Sequence, residues 1–466
     1  MKIQCRITML ILGTTATLLS ACRNDTSVND TIRLITLDPG HFHAALVQKS
    51  MYPGVDTTVY VYAPAGPDLN KHLDRIAGYN SRTDSPTHWN TVVYTREDFL
   101  EEMIKERKGN VVVLAGNNQS KTDYILQSVQ AGYHVLADKP MAIDQDGFEK
   151  LQEAFKTAAG KKLLLYDIMT ERSEITTILQ KELSQIPEIF GTLEQGSPED
   201  PAVTKESVHH FYKYVSGKVN IRPAWFFDVK QQGEGIVDVT THLVDLVQWE
   251  CFPEQIIDAG KEISLVSAVR FPTMLSKAEF CGVTGLNDYP PFLAGDVTGD
   301  SMLRVFANGE IIYQIRGVYA KVSVRWAYKA PDGAGDTHYS LMRGTKASLV
   351  IRQGMQQQYN PILYIVPANG YDGSERELAL NFEPLRKKYP GIALEKAGNE
   401  WIVRIPEKYH VGHEAHFAEV MERFIQYYRD GKLPDWEVPN MLAKYYVTTG
   451  ALKIARTANT DPASER

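Results

Sequence analysis

A lysine that follows a predicted buried strand is placed where it could take part in binding or catalysis. Residues 110–115 form an apolar, β-branched run, 122–130 have the apolar spacing of a helix, and 133–137 form a second apolar run. Such a βαβ unit requires a parallel sheet, and ligands bind at the carboxyl ends of its strands. Lys139 stands at such an end, where Pro140 stops the strand and fixes the backbone. The position predicts a functional ammonium group, with an ordinary solvated loop lysine as the alternative.

A second group of polar residues lies further along the chain, in a segment with helical spacing at 235–249. Asp238, His242 and Asp245 fall at i, i+4 and i+7, so a helix places them on one face, beside apolar neighbours. A carboxylate and an imidazole on an apolar helix are costly unless they are paired or used. The carboxylate can set the imidazole tautomer and raise its basicity. The pattern predicts a general base at His242 that Asp238 orients, with a simple core Asp–His hydrogen bond as the alternative.

Near residue 31 the sequence has the form of a phosphate-binding turn. A strand-like run at 31–37 precedes D-P-G-H-F-H at 38–43, and a helical run follows at 44–50. Strand, tight turn and helix is the arrangement that holds a pyrophosphate in dinucleotide-binding domains. Against G-x-G-x-x-G only the middle glycine is present. Cofactor contacts are predicted from the residues of this turn: Asp38, Gly40, His41 and Phe42.

The choice between NAD and NADP, and the question of a metal, depend on residues around this turn. No acidic residue follows the second strand, 57–62, where a ribose diol is usually bound, although Asp68 is near. Lys71 and Arg75 keep a phosphorylated ribose open. His41 and His43 suggest metal ligands, but no carboxylate or cysteine completes a set at the usual spacing. We therefore predict NAD or NADP and no metal.

The secondary-structure pattern changes near Tyr166 and predicts two domains. Residues 31–165 alternate between predicted strands and helices. Besides the elements given above, this part has strands at 91–94 and 162–166 and helices at 96–105 and 145–159. Residues 73–90 are predicted to be irregular. Later segments are strand-rich, with predicted strands at 191–195, 263–271, 301–306, 311–318 and 320–327, turns at 308–309 and 331–333, and helices at 171–183, 413–427 and 439–458. The predicted class is α/β: an N-terminal Rossmann-type parallel sheet (31–165) plus a C-terminal α+β domain (166–466) with a mainly antiparallel, open-faced sheet and C-terminal helices.

Composition narrows the class of protein further. With 466 residues, 43% hydrophobic and 23% charged, the chain is globular in composition and long enough for two or three domains. Its 50 basic and 57 acidic side chains give a net charge of −7 without a basic cluster, which argues against a nucleic-acid partner. Beyond residue 22 only Cys251 and Cys281 remain, and they can form one disulfide or stay free.

The first residues resemble a bacterial lipoprotein signal. Lys2 and Arg6 precede an apolar run at 7–19, and L-S-A-C at 19–22 fits a lipobox. We expect removal of residues 1–21, lipidation of Cys22, and a polar tether at 22–30. The apolar run is shorter than the roughly 20 residues of a membrane-spanning helix. The resemblance implies an exported protein anchored to a bacterial membrane, on its periplasmic face or at the cell surface.

Two separate parts of the chain resemble the Gfo/Idh/MocA family of nicotinamide-dependent sugar oxidoreductases. In the first, Asn118 falls where the family carries an Asn, A-G-Y-H-V-L at 131–136 matches A-G-x-H-V-L, and D-K-P at 138–140 matches E-K-P with Asp for Glu. In the second, R-P-A-W at 222–225 with Asp228 is similar to R-P-x-W and a following Asp. The residues G-x-G at 233–235 and D-x-x-x-H-x-x-D at 238–245 are similar to G-G-G…D-x-G-x-H-x-x-D, and R-G-T-K-A at 343–347 resembles the late G-T-K-G strand.

The resemblance implies roles for residues at the matching positions. Lys139, Asp238 and His242 correspond to the catalytic set, and Gly40, Asn118, Asp138 and Lys139 lie near the cofactor. Lys121 stands where the family usually has a His, and residues 167–172 do not follow its N-x-R-F pattern. Substrate contacts are predicted instead from aromatic and acidic residues elsewhere: Tyr166, Trp225, Asp228 and Asp245.

Together these features predict an NAD(P)-dependent dehydrogenase that oxidises a ring hydroxyl of a sugar or glycoside, for example at C3, to a keto sugar. Since free NAD is scarce outside the cytoplasm, the cofactor is expected to stay tightly bound. Two alternatives remain open: a redox-neutral NAD-dependent glycosidase that oxidises, eliminates, hydrates and reduces, and a non-catalytic sugar-binding lipoprotein. The expected partners are a carbohydrate substrate and, by the lipid anchor, a membrane; the family resemblance adds a homo-oligomer.

Overall fold

Six short strands, rich in valine and leucine, form a parallel sheet in the N-terminal part of the protein. In the computed structural model, which describes residues 31–215, 218–368 and 374–458, these strands are β1 (Leu34–Leu37), β2 (Thr58–Tyr62), β3 (Asn90–Tyr94), β4 (Val111–Leu114), β5 (His134–Asp138) and β6 (Leu165–Ile168). Their order in the sheet is β3-β2-β1-β4-β5-β6. The direction of winding reverses between β1 and β4, which is where doubly wound sheets bind dinucleotides. The prediction of a Rossmann-type parallel sheet is confirmed.

Five helices accompany this sheet: α1 (His43–Leu46), α2 (Pro67–Ser81), α3 (Phe99–Glu106), α4 (Lys121–Gln130) and α5 (Gln145–Lys161). The prediction that 73–90 is irregular is wrong for its first part, because α2 runs to Ser81. Of this helix only Leu69, His72 and Ile76 are buried. A stripe this narrow among polar residues gives a weak helical period, although Pro67 at the first helical position marks the start.

The C-terminal part is built on a nine-stranded sheet that is antiparallel except where β12 pairs with β7 in parallel. In spatial order its strands are β10 (Ile263–Leu275), β11 (Leu303–Ile315), β12 (Val318–Lys329), β7 (Val203–Tyr212), β13 (Thr337–Arg343), β14 (Ala347–Gln353), β15 (Ile362–Pro367), β17 (Glu400–Arg404) and β16 (Ala393–Ala397). A separate hairpin consists of β8 (Tyr214–Val215) and β9 (Lys218–Val219). The mainly antiparallel sheet that the sequence predicts is confirmed.

Eight further helices pack around this sheet or follow it: α6 (Ile175–Ser184), α7 (Val229–Gln232), α8 (Thr240–Cys251), α9 (Ala259–Glu262), α10 (Lys277–Thr284), α11 (Glu375–Lys388), α12 (His413–Asp430) and α13 (Glu437–Ala458). Of the last two, α12 packs in the core of the parallel sheet, and α13 is shared between the two hydrophobic cores. Phe417, Met421 and Phe424 of α12 pack in the core of the parallel sheet. On α13, Tyr445 packs in that same core and Leu452 packs in the core of the antiparallel sheet.

Two predicted elements differ from the structure for identifiable reasons. The turn predicted at 308–309 is wrong, because β11 continues through it. Asn308 is buried within the strand, where its Nδ2 donates to the carbonyl oxygen of Phe271 and its Oδ1 accepts from the backbone nitrogen of Trp326. A side chain that bonds both neighbouring strands thus replaces the turn role expected of Asn-Gly. The strand predicted at 191–195 is reduced to a single bridge between Leu193 and Gly344.

Several expectations concern residues before Thr31. The signal peptide, the tether and Cys22 lie outside the described residues. Across the ranges that the structure describes, no helix combines the length and the apolar character that crossing a bilayer requires. Cys251 and Cys281 are free thiols.

Candidate active site

Lys139 lies just beyond β5, and it forms an ion pair with Asp238. Its Nζ donates to Oδ1 of Asp238 over 2.7 Å, and the two side chains are only 12% and 8% exposed. Nε2 of Gln232 donates to the other carboxylate oxygen over 3.1 Å. Burial opposes both charges, but Asp238 and Asp138 raise the pKa of Lys139, and Lys139 lowers the pKa of Asp238. Both groups are therefore charged at neutral pH.

The position of Asp238 is set by the turn that precedes α8. Gly235 lies against β11 so closely that an added Cβ would be 1.8 Å from the carbonyl oxygen of Ala307. Its backbone nitrogen donates to the carbonyl oxygen of Phe306. Only glycine allows this approach, which explains the second glycine of the G-x-G pattern. The helix starts at Thr240, so Asp238 stands in the turn directly before it.

His242 has a different environment from the one predicted. The carboxylate of Asp238 is bonded to Lys139 and Gln232 and not to this imidazole. Nδ1 of His242 is buried and has no hydrogen-bond partner among the described residues. Burial, with repulsion from Lys139, lowers the pKa of His242 to about 4. At neutral pH this imidazole is uncharged and is able to accept a proton from a ligand.

Glu171 is a functional candidate that the sequence patterns did not reveal. It lies in a 3₁₀ turn, Thr170–Ser173, directly after β6, and its Oε1 is 3.5 Å from Nδ1 of His413. Burial raises the pKa of this carboxyl, but the bond to His413 and the nearby His242 outweigh it and lower the pKa. The available signal was its place after the last strand of the parallel sheet, where ligands gather.

His242 and Glu171 line a cavity of about 810 Å³ on the face of the antiparallel sheet that α6 and α8 cover. This volume lies within the range of about 300–1,000 Å³ that is typical of small-molecule sites. Six of the 12 histidines of the chain line it: His209, His242, His338, His410, His413 and His416. Burial lowers the pKa of His338, as of His242, to about 4. These two neutral imidazoles offer both donor and acceptor nitrogens, which suits a ligand rich in hydroxyl groups.

A crevice above the switch point between β1 and β4 has the features of a dinucleotide site. At Gly116 an added Cβ would lie 2.2 Å from the carbonyl oxygen of Asp38, so the loops after β4 and β1 approach each other backbone to backbone. Asn118 donates through Nδ2 to the carbonyl oxygen of Gln232, while its Oδ1 is buried with no hydrogen-bond partner in the described parts of the chain. A buried acceptor at this place fits a ligand with an amide donor, such as a nicotinamide.

The turn after β1 departs from the glycine pattern in a way that the backbone explains. Asp38 has φ of 47°, in the left-handed region that the first glycine would favour and that Asp tolerates better than most residues. Burial raises the pKa of Asp38, whose Oδ2 accepts from the Tyr124 hydroxyl over 3.3 Å. Gly40 faces the indole of Trp225, with Cζ2 3.2 Å from an added Cβ. Phe42 packs against the core of the parallel sheet.

His41, His43 and Asp138 come together beside this crevice. Nδ1 of His43 lies 2.9 Å from Oδ2 of Asp138, and Nδ1 of His41 lies 3.7 Å from the same oxygen. Asp138 thus supplies the carboxylate that the local spacing of the two histidines lacked. Lys121, which the sequence analysis did not assign, is buried and donates through Nζ to the carbonyl oxygen of Asp138 over 3.0 Å. Burial lowers the pKa of Lys121 to about 8.

The structure does not bring the four predicted substrate residues to the large cavity. Tyr166 is buried in the core of the parallel sheet. Asp228 caps α7 by accepting from the backbone nitrogen of Lys230. Trp225 lies over Gly40 in the crevice, and its Nε1 donates to Asp68 over 2.8 Å. Asp245 is 1% exposed, and its two oxygens accept from Arg172 over 2.6 Å each.

Asp245 belongs instead to a buried ionic network that joins β6, α8 and α13. Arg172, next to Glu171, bridges Asp245 of α8 and Glu437 of α13, with both Glu437 oxygens 3.0 Å from Nη1 of the arginine. Lys444 donates to Asp245 over 3.0 Å and to Asp167 of β6 over 2.5 Å. The network ties the end of the parallel sheet to α8, which carries His242.

A parallel sheet with a dinucleotide crevice, joined to an antiparallel sheet with a histidine-lined cavity, defines a two-domain oxidoreductase. Comparison of the sequence with protein families agrees. Residues 179–456, more than half of the chain, match the family described as "Putative oxidoreductase C terminal domain". Residues 71–166 match the "Oxidoreductase family, NAD-binding Rossmann fold" of the Gfo/Idh/MocA type. The chain belongs to the family of oxidoreductases with this C-terminal domain, and its N-terminal part matches the NAD-binding domain of the Gfo/Idh/MocA type.

Solved structures show the same architecture. A putative oxidoreductase from Parabacteroides merdae is 57% identical, with a TM-score of 0.91 over 92% of this chain and 98% of that one. Levoglucosan dehydrogenase in complex with NADH is 13% identical, with a TM-score of 0.58 over 91% of this chain and 97% of that one. A 3-ketoreductase from Actinomadura kijaniata, in complex with NADP and TDP-benzene, is 14% identical, with a TM-score of 0.53 and the same coverage. These last two show a shared fold.

One curated relative is similar over a short segment. Mouse biliverdin reductase A is 33% identical over 92 residues. The match spans 20% of this chain and 29% of that protein, so the chain spans less than a third of the length of this relative.

Proposed function

We propose that this protein is an NAD(P)-dependent dehydrogenase that oxidises a ring hydroxyl of a sugar or glycoside to a ketone, for example at C3. The observation that carries the proposal is the neutral imidazole of His242, which lines the large cavity. Lys139, a neighbour close enough to lower the pKa of this imidazole, lies at the carboxyl end of the parallel sheet. Related folds that bind NADH or NADP, named above as a levoglucosan dehydrogenase and a 3-ketoreductase, support the same class of chemistry.

The reaction assigns a distinct task to each residue of the site. The imidazole of His242 takes the hydroxyl proton as the C–O bond becomes a carbonyl. Nζ of Lys139 donates a hydrogen bond to the developing alkoxide, and Asp238 keeps that ammonium group charged. A nicotinamide held by Gly40 and Asn118 would supply the acceptor for the hydride that leaves the carbinol carbon. One proton and one hydride leave the alcohol, so the keto sugar is two electrons more oxidised.

Activity is expected to keep its full value well below pH 6.5 and to decline only near pH 4. Burial lowers the pKa of His242 to about 4, so the imidazolium form, which cannot accept a proton, accumulates only there. The pH dependence of kcat/KM checks this, because it reports the ionisation of the free enzyme. Circular dichroism at each pH separates ionisation from unfolding. A folded enzyme with an acidic limb centred near pH 6.5 would contradict the assignment.

Incubation of the purified protein with glycosides tests the proposed function. We expect a keto sugar by mass spectrometry, with reduced cofactor formed in proportion. Gentle denaturation is expected to release a nicotinamide dinucleotide, which mass and absorbance measurements would identify. An exported, lipid-anchored protein is expected to hold this cofactor tightly. A protein that neither releases nor binds a dinucleotide, and that forms no product, would overturn the dehydrogenase in favour of a sugar-binding protein.

A second candidate function is favoured by the Glu171–His413 pair. These groups lie 3.5 Å apart in the same cavity as His242, and hydride transfer alone does not require them. A redox-neutral glycosidase needs additional acid–base groups, because it must remove the proton beside the new ketone and protonate the leaving group. In the glycoside assay, free monosaccharide without net formation of reduced cofactor would identify this reaction.

A further inference from the structure

We propose that His41, His43 and Asp138 form a binding site for a divalent transition-metal ion, with zinc as the ion to test. One donor atom from each residue lies within 4.8 Å of the others, in the parts of the chain that the structure describes. Two imidazoles and one carboxylate are a ligand set found at zinc and iron centres. The inference concerns these residues alone and does not rest on the proposed dehydrogenase reaction.

The distances within the cluster suit a single ion. Ligand atoms about 2.0–2.1 Å from a tetrahedral zinc ion lie about 3.3 Å from one another. Oδ2 of Asp138 is 2.9 Å from Nδ1 of His43 and 3.7 Å from Nδ1 of His41. These two values bracket the required spacing, and the donor atoms of His41 and His43 lie within 4.8 Å of each other.

A second observation points to a missing ligand at this place. Nδ1 of His41 is buried, and none of the described residues gives it a hydrogen-bond partner. A buried polar atom without a partner costs free energy that a metal–nitrogen bond would recover.

The carboxylate is also available for a cation. In the described parts of the chain, the side chains paired with the Asp138 carboxylate are the two proposed ligands, His41 and His43. Two ammonium groups lie nearby, but each has another acceptor: Lys121 donates to the backbone carbonyl oxygen of Asp138, and Lys139 donates to Asp238. Their repulsion reduces the affinity for a cation without occupying the carboxylate.

The surroundings indicate an open site and not a closed structural one. The side chains of His43 and Asp138 are 9% and 5% exposed, whereas that of His41 is 20% exposed and lines the dinucleotide crevice. On the other side, the ring of His43 lies 5.9 Å from that of His413, which lines the large cavity. Three protein ligands with a free fourth position are the composition of zinc sites that bind an exchangeable ligand.

The fold brings these distant residues together across one strand. His41 and His43 follow β1 and Asp138 ends β5, with β4 between the two strands. The loop after β1 crosses the end of β4 at Gly116, where a Cβ would meet the carbonyl oxygen of Asp38 at 2.2 Å. The same close approach that serves the dinucleotide crevice therefore assembles the three ligands.

Metal titration of the purified protein tests this site without measuring activity. After treatment with a chelator and desalting, calorimetric titration with zinc chloride is expected to show one ion per chain, and mass spectrometry of the metal content is expected to agree. His41→Ala and His43→Ala should each weaken binding at least tenfold, as should Asp138→Asn. His134→Ala is the matched control, because His134 is a largely buried histidine that lines neither pocket. Melting temperatures show whether each variant is folded.

The outcomes separate this inference from the proposed function. Stoichiometric zinc that all three ligand variants lose and the control retains supports the site, whether or not the protein oxidises a sugar. Should one variant fail to fold, the remaining two decide, since they change different elements. Absence of zinc binding by the wild-type protein, or equal binding by the folded ligand variants, overturns the inference even if a dehydrogenase activity is found.

Discussion

Replacement of His242 by asparagine is expected to lower kcat by a factor of about 10²–10⁴, which is the usual contribution of a general base. Asparagine keeps part of the polar surface but cannot accept the hydroxyl proton at neutral pH. KM is expected to change little, because the proton moves only in the transition state. Steady-state kinetics on the glycoside identified by the product assay measures both constants.

The matched control for this variant is His134→Asn. Burial lowers the pKa of His134 to about 4, as it does for His242, but the residue lies on β5 and does not line the large cavity. This control should keep kcat within a small factor of the wild-type value. If His242→Asn is folded and retains full kcat, another group is the base, and Glu171 would be the first to examine.

Replacement of Arg172 by methionine is expected to lower the free energy of unfolding by about 3–5 kcal/mol, the usual effect of removing one partner from a buried ion pair. Arg172 is 3% exposed and neutralises both Asp245 and Glu437. Without it, Lys444 still pairs with Asp245, but Glu437 loses its cation. Urea unfolding followed by circular dichroism measures the change in the free energy of unfolding.

Arg352→Met is the comparison for the buried pair. Arg352 also makes a two-pronged bond to a carboxylate, that of Glu400, but the two side chains are 34% and 26% exposed. Solvent screens such a pair, so its loss should cost at most about 1 kcal/mol. Equal losses for the two variants would show that the Arg172 network is not the stabilising element that its burial implies.

The parallel sheet was predictable because its signal is local. Valine-rich runs such as β4 alternate with runs of about ten residues that have helical spacing, and this alternation predicts a βαβ unit. The position of Lys139 beyond β5 follows from the same alternation of strands and helices. By contrast α2 was missed because only three of its residues face a core, and β11 was divided in two because Asn-Gly usually marks a turn.

Within the site, residue types were easier to predict than partners. Lys139, Asp238 and His242 were singled out from their motifs, and the ion pair of Lys139 with Asp238 joins residues 99 positions apart. Asp238 was assigned to His242 because spacing within one segment is visible in a sequence, whereas a contact between β5 and the turn before α8 is not. Glu171 and Lys121 belong to no periodic pattern in the sequence. Only the fold reveals that Glu171 lines the large cavity and that Lys121 donates to the carbonyl oxygen of Asp138.

The contribution of α12 and α13 to the core of the parallel sheet has a consequence for the order of folding. The apolar face of the parallel sheet is synthesised first, yet Phe424 and Tyr445, which cover part of it, come from the last helices of the chain. The sheet can close its core only after nearly the whole polypeptide has been released from the ribosome. Such long-range closure slows folding, because chain entropy must be lost before contacts between distant segments can form.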